Sequence, residues 1–322
     1  MSLRRAPGIW LLLAATLIIG LLPLLSGNAM LRETLYTIYL AIALAGSLNI
    51  ILGYTGYISF GHVVFFGLGG YVGLFLIDNF NLSLWLSILA GGVAAGLLAF
   101  LLGSAILRLR GAYFALATIG VNEAMRAFVN NFPPFGGPTG ISLNFKVYQP
   151  YGGATQALWL DFGILVALTL GSILLSYLVK TSKFGLGLMA IREDEDAAEV
   201  MGIHTTQSKT WAYVLSAIIP GMVGVLYYFK NSSIEPSDAF NLASSIELLV
   251  MVMLGGSGTV LGPVIGAAGY EILRGYLLLS RLFRDIQLTV SGLLLLLVVL
   301  FIPAGAVGWL TRRYPRLRQV II

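Results

Sequence analysis

A serine between glycines is the residue whose type and spacing come nearest to catalytic chemistry. The tetrapeptide GGSG at 255–258 places the Ser257 hydroxyl on a flexible turn. A serine nucleophile also needs a base, and the chain has only two histidines, His62 and His204. A flexible break between two helices accounts for the same four residues without any reaction. A nucleophilic Ser257 is therefore kept only as an alternative.

Other reactive centres are excluded by composition. The chain has no cysteine and two histidines, which rules out disulfides and thiolate sites and argues against a metal centre. It also lacks the G-x-x-x-x-G-K-[ST] loop that cradles nucleotide phosphates. We therefore predict a chain that is not an enzyme and holds no cofactor, so that any ATP with its Mg²⁺ is bound by partner subunits. The net charge of +5 does not suggest nucleic acid.

A long polar segment of this apolar chain runs from Lys183 to Trp211, and we call it the acidic loop. Apolar runs of spanning length flank it, at roughly 158–179 and 209–229. We therefore interpret it as a water-exposed loop between two membrane helices. Five of the fourteen carboxylates of the chain lie within it: Glu193, Asp194, Glu195, Asp196 and Glu199.

The acidic loop is predicted to contain a short helix. Residues 192–201 include no glycine or proline, and their acidic residues come early, where the helix dipole favours negative charge. Gly202 follows in the place of a left-handed residue that ends a helix. One apolar face at helical spacing is formed by Ala197, Val200 and Met201. A short amphipathic helix of this kind is a surface for docking another protein.

The same residues resemble a known family. Asp196, Ala197 and Ala198 followed by Gly202 resemble the E-A-A-x-x-x-G loop of ABC importer permeases, with Asp196 in place of the usual Glu. The wider stretch FGLGLMAIREDEDAAEVMGI is similar to branched-chain amino acid permeases of the LivM type. In that family this loop receives the ATP-binding subunits. The resemblance implies that coupling involves Arg192, Glu193, Asp196, Ala197, Ala198 and Gly202, whereas the alternative is a simple solvated charge run.

Composition indicates that the chain uses lipid as its solvent. It is 58% hydrophobic and 10% charged, whereas charged residues make up about a quarter of a typical soluble domain. We predict an all-α polytopic membrane protein with about ten (8–10) transmembrane helices, glycine-broken segments and a cytoplasmic coupling helix. The expected organisation is one transmembrane permease domain over 1–322, a cytoplasmic coupling loop at 181–209 and an extracytoplasmic loop at about 130–158. An uncleaved first helix at 9–25 is preferred over a signal peptide.

Two glycine-rich segments are candidates for a pathway or gate. Small residues let helices approach closely in lipid, and both segments, at 49–76 and 251–267, again resemble the LivM-type family. His62 lies in the first of them, and a histidine hydrogen-bonded between helices is the alternative to a substrate contact. The candidate residues in these segments are Gly56, His62, Gly69, Gly255, Gly256 and Ser257.

A predicted fifth span, within 108–128, carries two further candidates. Glu123 and Arg126 are three residues apart and so share a helical face, where they can pair. Charged residues inside a span are costly and usually face a polar interior. Two interpretations stay open: a structural ion pair near the outer boundary, and a lining of the translocation path.

Charge placement predicts the orientation. With ten spans, twelve of the nineteen Lys and Arg residues fall on the side of the termini and the acidic loop, and five fall on the other side. By the positive-inside rule the termini and the acidic loop are cytoplasmic. The protein is thus expected to be a multi-pass protein of a bacterial inner membrane.

The resemblance also implies partners and cargo. It implies a second, LivH-like permease, two ATP-binding subunits and an extracytoplasmic substrate-binding protein, which delivers branched-chain or other apolar amino acids, urea or short amides. Residues 135–141, FGGPTGI, resemble a family loop and suggest a docking surface for that binding protein. A secondary transporter with discontinuous helices is one alternative, and an intramembrane serine protease of the rhomboid type is another.

Overall fold

The computed structural model describes residues 7–278 and 305–313, together with residues 289–290, 292–293 and 296. Nearly all of this part of the chain is helical, which confirms the predicted fold class. The helices are α1 (Pro7–Ser26), α2 (Ala29–Thr55), α3 (Val63–Phe80), α4 (Leu84–Ile106), α5 (Ala112–Asn130), α6 (Ala154–Thr181), α7 (Lys183–Glu193), α8 (Glu195–Val200), α9 (Thr205–Asn231), α10 (Pro236–Ala239), α11 (Leu242–Gly255), α12 (Leu261–Leu278) and α13 (Gly305–Arg313).

Within the described residues, seven helical stretches are long and apolar enough to cross a membrane. They are most or all of α1, α2, α3, α4, α6 and α9, and the stretch Pro236–Gly255 that joins α10 to α11. The chain is therefore a multi-pass membrane protein. The predicted spans at α5 and α12 are helices but do not belong to this set, and α5 carries the charged pair Glu123 and Arg126. The predicted last span, at about 286–302, lies almost wholly outside the described residues.

The chain forms two compact units. Unit 1 comprises Met1–Gly56, Val166–Arg192 and Ile246–Ile322, and unit 2 comprises Tyr57–Leu165 and Glu193–Ser245. In unit 1, α1 and α12 pack on α2. The Tyr39 hydroxyl of α2 donates to the Thr16 carbonyl of α1, and the hydroxyls of Tyr54 and Ser176 lie 2.7 Å apart. Hydrogen bonds inside the apolar core thus fix the position of α2.

Unit 2 is built on α3, α4 and α9, which pack through glycines. A Cβ added at Gly69 would lie 2.2 Å from the Gly221 carbonyl oxygen, and one at Gly224 would lie 2.0 Å from the Phe66 carbonyl oxygen. Only residues without a side chain allow backbones to approach so closely. The part of the first glycine-rich segment that lies in α3 therefore packs α3 against α9.

The loops of unit 2 collect at the two ends of α9. Beyond its last turn, β1 (Ile141–Ser142) pairs antiparallel with β2 (Ser233–Ile234), and the Tyr148 hydroxyl donates to the Phe229 carbonyl at 2.6 Å. The segment predicted as a loop at 130–158 contains these contacts and three short 3-10 helices before α6 begins. At the first turn of α9, α8 packs instead, so the two loops lie at opposite ends of the helix.

Candidate functional site

A left-handed glycine fixes the end of α8. Gly202 has a φ of +89°, its amide donates to the Glu199 carbonyl at 2.9 Å, and the Ile203 amide donates to the Ala198 carbonyl at 3.0 Å. This pair of bonds is the Schellman arrangement that satisfies the last carbonyls of a helix. The prediction that Gly202 ends the loop helix in a left-handed conformation is confirmed.

The single helix expected at about 192–201 is divided at Asp194. α7 ends at Glu193, and Asp194 is extended, with its side chain accepting from the Ala197 amide at 3.0 Å. Aspartate is a favoured residue before a helix because its carboxylate satisfies a free amide and meets the positive end of the dipole. Arg192 therefore belongs to the preceding helix, and α8 is a separate, doubly capped turn.

The two alanines of the loop differ in burial. Ala198 is 2% exposed and packs inside the chain, whereas Ala197 is exposed. Val200 is 89% exposed and Met201 is 80% exposed. The predicted apolar face of Ala197, Val200 and Met201 is thus confirmed and stands uncovered on a polar loop. Exposed apolar patches rimmed by polar residues mark interaction sites.

The buried side of α8 is attached to unit 2 by an ion pair. Lys209 Nζ lies 2.6 Å from Glu195 Oε1, and it donates to the Tyr57 hydroxyl at 2.9 Å. The Tyr57 hydroxyl donates in turn to Glu195 Oε2 at 2.6 Å. The Lys209 side chain is 1% exposed and that of Glu195 is 14% exposed. We call Glu195, Lys209 and Tyr57 the buried triad.

Protonation states in the buried triad follow from these contacts. Burial alone would raise the pKa of the Glu195 carboxyl, but hydrogen bonds from Lys209 and Tyr57 outweigh it, and that pKa lies below its ordinary value. Burial, reinforced by the hydrogen bond to Glu195, raises the pKa of the Tyr57 hydroxyl. At neutral pH Glu195 is therefore charged and Tyr57 remains a donor.

A second ion pair lies beside the triad at the surface. Arg110, from the turn between α4 and α5, places Nη1 2.8 Å from Asp196 Oδ1 and Nε 3.7 Å from Glu195 Oε1. The side chains of Arg110 and Asp196 are 53% and 76% exposed. Exposed pairs of this kind contribute little to stability, so Asp196 remains available to a partner.

In unit 1, Arg192 holds the end of α7 to the end of α2. Its Nη1 donates to the Gly53 carbonyl at 2.5 Å. A Cβ at Gly56 would lie 3.2 Å from Arg192 Cγ, and one at Gly258 would lie 2.7 Å from Nη1. Asn49 fixes this glycine, since its Oδ1 accepts from the Gly258 amide at 2.9 Å. The glycines leave the space that the arginine fills.

The second glycine-rich segment is also closely packed within unit 1. Gly256 has a φ of +121°, a region that glycine adopts without strain. A Cβ at Gly255 would lie 1.8 Å from the Gly262 carbonyl oxygen. Ser257 lies in this turn, whereas both histidines, His62 and His204, belong to unit 2.

The remaining candidates lie in unit 2. His62 is 1% exposed, and neither ring nitrogen has a hydrogen-bond partner among the described residues. Its ring meets that of Phe65 edge-on, at 5.7 Å between centroids. Glu123 and Arg126 pair across one turn of α5 at 3.9 Å and are about half exposed, so the predicted pairing is confirmed.

Sequence reasoning missed the buried triad. Lys209 shares a helical face with Ala212, Tyr213 and Ser216, which are all buried. A lysine on the packed face of a span indicates a carboxylate partner, and this signal was present in the sequence. Spacing alone could not choose among five neighbouring carboxylates, nor bring Tyr57 to the same place.

Together these features define a multi-pass membrane protein whose acidic loop contains a capped, anchored helix with an exposed apolar face. The family described as branched-chain amino acid transport system, permease component, matches residues 30–299, and the chain belongs to that family. It is thus a transporter component.

Individual relatives extend the comparison. The high-affinity branched-chain amino acid transport system permease protein LivM of Escherichia coli is 28% identical over 296 residues, covering 84% of this chain and 68% of the relative. The LivH permease protein of the same organism is 25% identical over 293 residues, 85% of this chain and 92% of the relative. The ribose import permease protein RbsC of Haemophilus influenzae is 25% identical over 169 residues, about half of each chain. No solved structure matches.

Proposed function

We propose that the protein is the membrane subunit of an ATP-driven importer and that its acidic loop receives the ATP-binding subunits. The observation that carries the proposal is the uncovered apolar face of Ala197, Val200 and Met201 on the capped helix α8. Membership of the permease family supports it. Because the chain lacks a phosphate-binding loop, ATP and Mg²⁺ are bound by the partner subunits.

The six coupling candidates take different roles in this proposal. Ala197 lies on the contact face, and the exposed carboxylates of Asp196 and Glu193 rim it. Ala198 seats α8 on the chain, since it is buried there. Gly202 turns the chain back toward α9, and Arg192 secures α7 in unit 1.

The proposed cargo is a branched-chain or other apolar amino acid, with urea and short amides as the neighbouring choices. Support comes from the LivM and LivH relatives, which are named as permease proteins of a branched-chain amino acid transport system. A binding protein delivers the cargo outside, and we place its docking surface on the loops around β1 and β2.

We place the exposed pair of Glu123 and Arg126 on the pathway, because charges facing lipid would be costly. Glycines 56, 69, 255 and 256, with His62 and Ser257, belong to the packed segments that we propose move around that pathway.

The proposed assembly pairs this chain with a second, LivH-like permease and two ATP-binding subunits. Relatives named LivM and LivH carry the same transport-system name, which supports a two-permease complex. The excess of Lys and Arg on the side of the acidic loop supports a cytoplasmic position for that loop and for the termini. A bacterial inner membrane is the expected location.

The docking face can be tested with Val200→Asp and Ala197→Asp. Each places a charge where the proposal puts an apolar contact, and an unpaired buried charge is strongly unfavourable. We expect the permease to accumulate normally while co-purification of ATP-binding subunits is lost. Phe145→Asp is the matched control, because Phe145 is 74% exposed at the other end of unit 2. Normal co-purification and uptake by both α8 variants would remove α8 as the docking element.

A further inference from the structure

Lys209 is buried at the first turns of a membrane helix, where a lysine is unfavourable unless it is paired and hydrogen-bonded. All its partners in the buried triad come from other segments: Glu195 from α8, and Tyr57 from the segment after α2. Lys209 Nζ also lies 4.5 Å from the centre of the Tyr57 ring. The ammonium group therefore ties α8 to α9.

The buried triad forms a closed arrangement with little freedom. Lys209 donates to both partners, and Tyr57 donates to the second oxygen of Glu195. Each carboxylate oxygen is engaged from a different direction, so Glu195 cannot rotate without breaking a charged hydrogen bond. Charge-assisted bonds at such short distances are among the strongest in proteins. A displacement of α8 is thus transmitted to Lys209 and not absorbed.

Neither helix depends on the buried triad for its own formation. α8 is capped by Asp194 and Gly202 through local bonds, and α9 is a 27-residue helix with an apolar character of its own. An apolar side chain at 209 would pack without the desolvation cost that an ion pair carries. The triad therefore fixes the position of α8 relative to α9.

Further along α9, two glycines pack directly against α3. Gly221 meets Gly69, and Gly224 meets the Phe66 carbonyl, with backbone against backbone. Contacts of this kind resist compression, so a shift of α9 toward α3 displaces α3 as well. A continuous series of close contacts thus runs from the exposed face of α8 to α3.

We propose that Glu195, Lys209 and Tyr57 are positioning residues that transmit the displacement of α8, driven by ATP-binding subunits, to α9 and through it to α3. This inference rests on the proposed function, since it takes α8 as the docking element. It assigns to the triad the transmission of movement and to Ala197, Val200 and Met201 the docking itself. Loss of docking should remove the ATP-binding subunits, whereas loss of transmission should leave them bound and reduce stimulated hydrolysis.

The test uses the assembled complex in proteoliposomes with Lys209→Met and Glu195→Gln, which remove the charge and keep the approximate shape. Glu195→Gln should lower the stability of the permease, because Lys209 loses its counter-charge, but in the complex that assembles we expect ATP-binding subunits to co-purify and basal hydrolysis to stay at the unmodified level. Stimulation of hydrolysis by a binding protein loaded with L-leucine should fall by about tenfold, the size of a typical coupling between sites. The exchange Glu195→Lys with Lys209→Glu should recover stimulation when Arg110→Gln is made with it, because Arg110 lies 3.7 Å from Glu195 and would repel a lysine there. Lys180→Met, at the end of α6, should not change stimulation.

Each outcome decides the inference. Unchanged stimulation and uptake in both single variants would overturn it, as would loss of the ATP-binding subunits in both, because the triad would then serve only folding or docking. Failure of the exchanged pair to recover stimulation would also count against it. The proposed function fails separately, if both Val200→Asp and Ala197→Asp retain the ATP-binding subunits and uptake, or if the unmodified complex is not stimulated.

Discussion

The acidic loop is attached to the membrane helices twice within four residues, by two different kinds of contact. In unit 1 Arg192 donates to a backbone carbonyl, that of Gly53. In unit 2 Glu195 is paired with the buried Lys209 and with Tyr57. One attachment depends on the shape of the backbone, whereas the other depends on balanced charge. The two should therefore fail under different substitutions.

The attachment in unit 1 exploits a helix terminus. α2 ends at Thr55, so the Gly53 carbonyl belongs to the last turn, whose carbonyls lack partners within the helix. A cation there also meets the negative end of the dipole. The arginine reaches this carbonyl because Gly56 and Gly258 present no side chain. Any added Cβ at Gly258 would occupy the place of the guanidinium.

The attachment in unit 2 exploits pairing in a place with little water. Removing one partner of a buried ion pair leaves the other charge uncompensated, which is more damaging than never having had the pair. An uncompensated charge would be more unfavourable at Lys209, because its side chain is 1% exposed whereas that of Glu195 is 14% exposed. Loss of the carboxylate should therefore be worse than loss of the ammonium.

The largest effect is expected for Glu195→Ala. It leaves Lys209 with the Tyr57 hydroxyl alone and should lower the free energy of unfolding by about 3–5 kcal/mol, as measured by denaturant unfolding of the permease in detergent. Glu199→Ala, on an exposed position of the same helix, is the control and should stay within about 0.5 kcal/mol. Equal shifts in the two variants would show that the ion pair is not a stabilising contact.

An intermediate effect is expected for Gly258→Ala in unit 1. Gly258 has a φ of +78°, which costs an L-residue about 1–2 kcal/mol, and the new Cβ would displace the Arg192 guanidinium. Gly269→Ala in α12 is the control, because nothing lies within 4 Å of its added Cβ, and it should be neutral or stabilising by up to about 1 kcal/mol. Unfolding midpoints of the two proteins test this. A neutral Gly258→Ala would mean that Arg192 does not need the glycine.

Local rules accounted for the seven long apolar helices and for one end of the loop helix. Long apolar runs predict helices because lipid leaves no other partner for the backbone. Gly202 follows five residues that favour helix, and a left-handed glycine in that place is a local signal. The uncovered face of Ala197, Val200 and Met201 follows from helical spacing alone. None of these features requires knowledge of a distant contact.

The two attachments could not be predicted, because each depends on contacts between distant segments. Gly53 and Arg192 are 139 residues apart in the chain, and Tyr57 and Glu195 are 138 apart. The division of the loop helix at Asp194 was missed for a related reason. An aspartate inside an acidic run is equally compatible with a helix interior and with a cap, and only its actual backbone conformation decides between them.

The smallest effect is expected for Asp196→Asn, at the position next to Glu195, where the largest effect is expected. Asp196 also pairs with an arginine, but both side chains are largely exposed, and such pairs often contribute nothing measurable. We expect no measurable shift of the unfolding midpoint at low salt, and none at about 1 M salt, where the screening length is about 3 Å. The deficit of Glu195→Ala should persist at that salt concentration, because buried pairs are screened much less. A large, salt-sensitive deficit in Asp196→Asn would show that the surface pair also anchors α8. With its stability unchanged, any loss of ATP-binding subunits by this variant would report on docking alone.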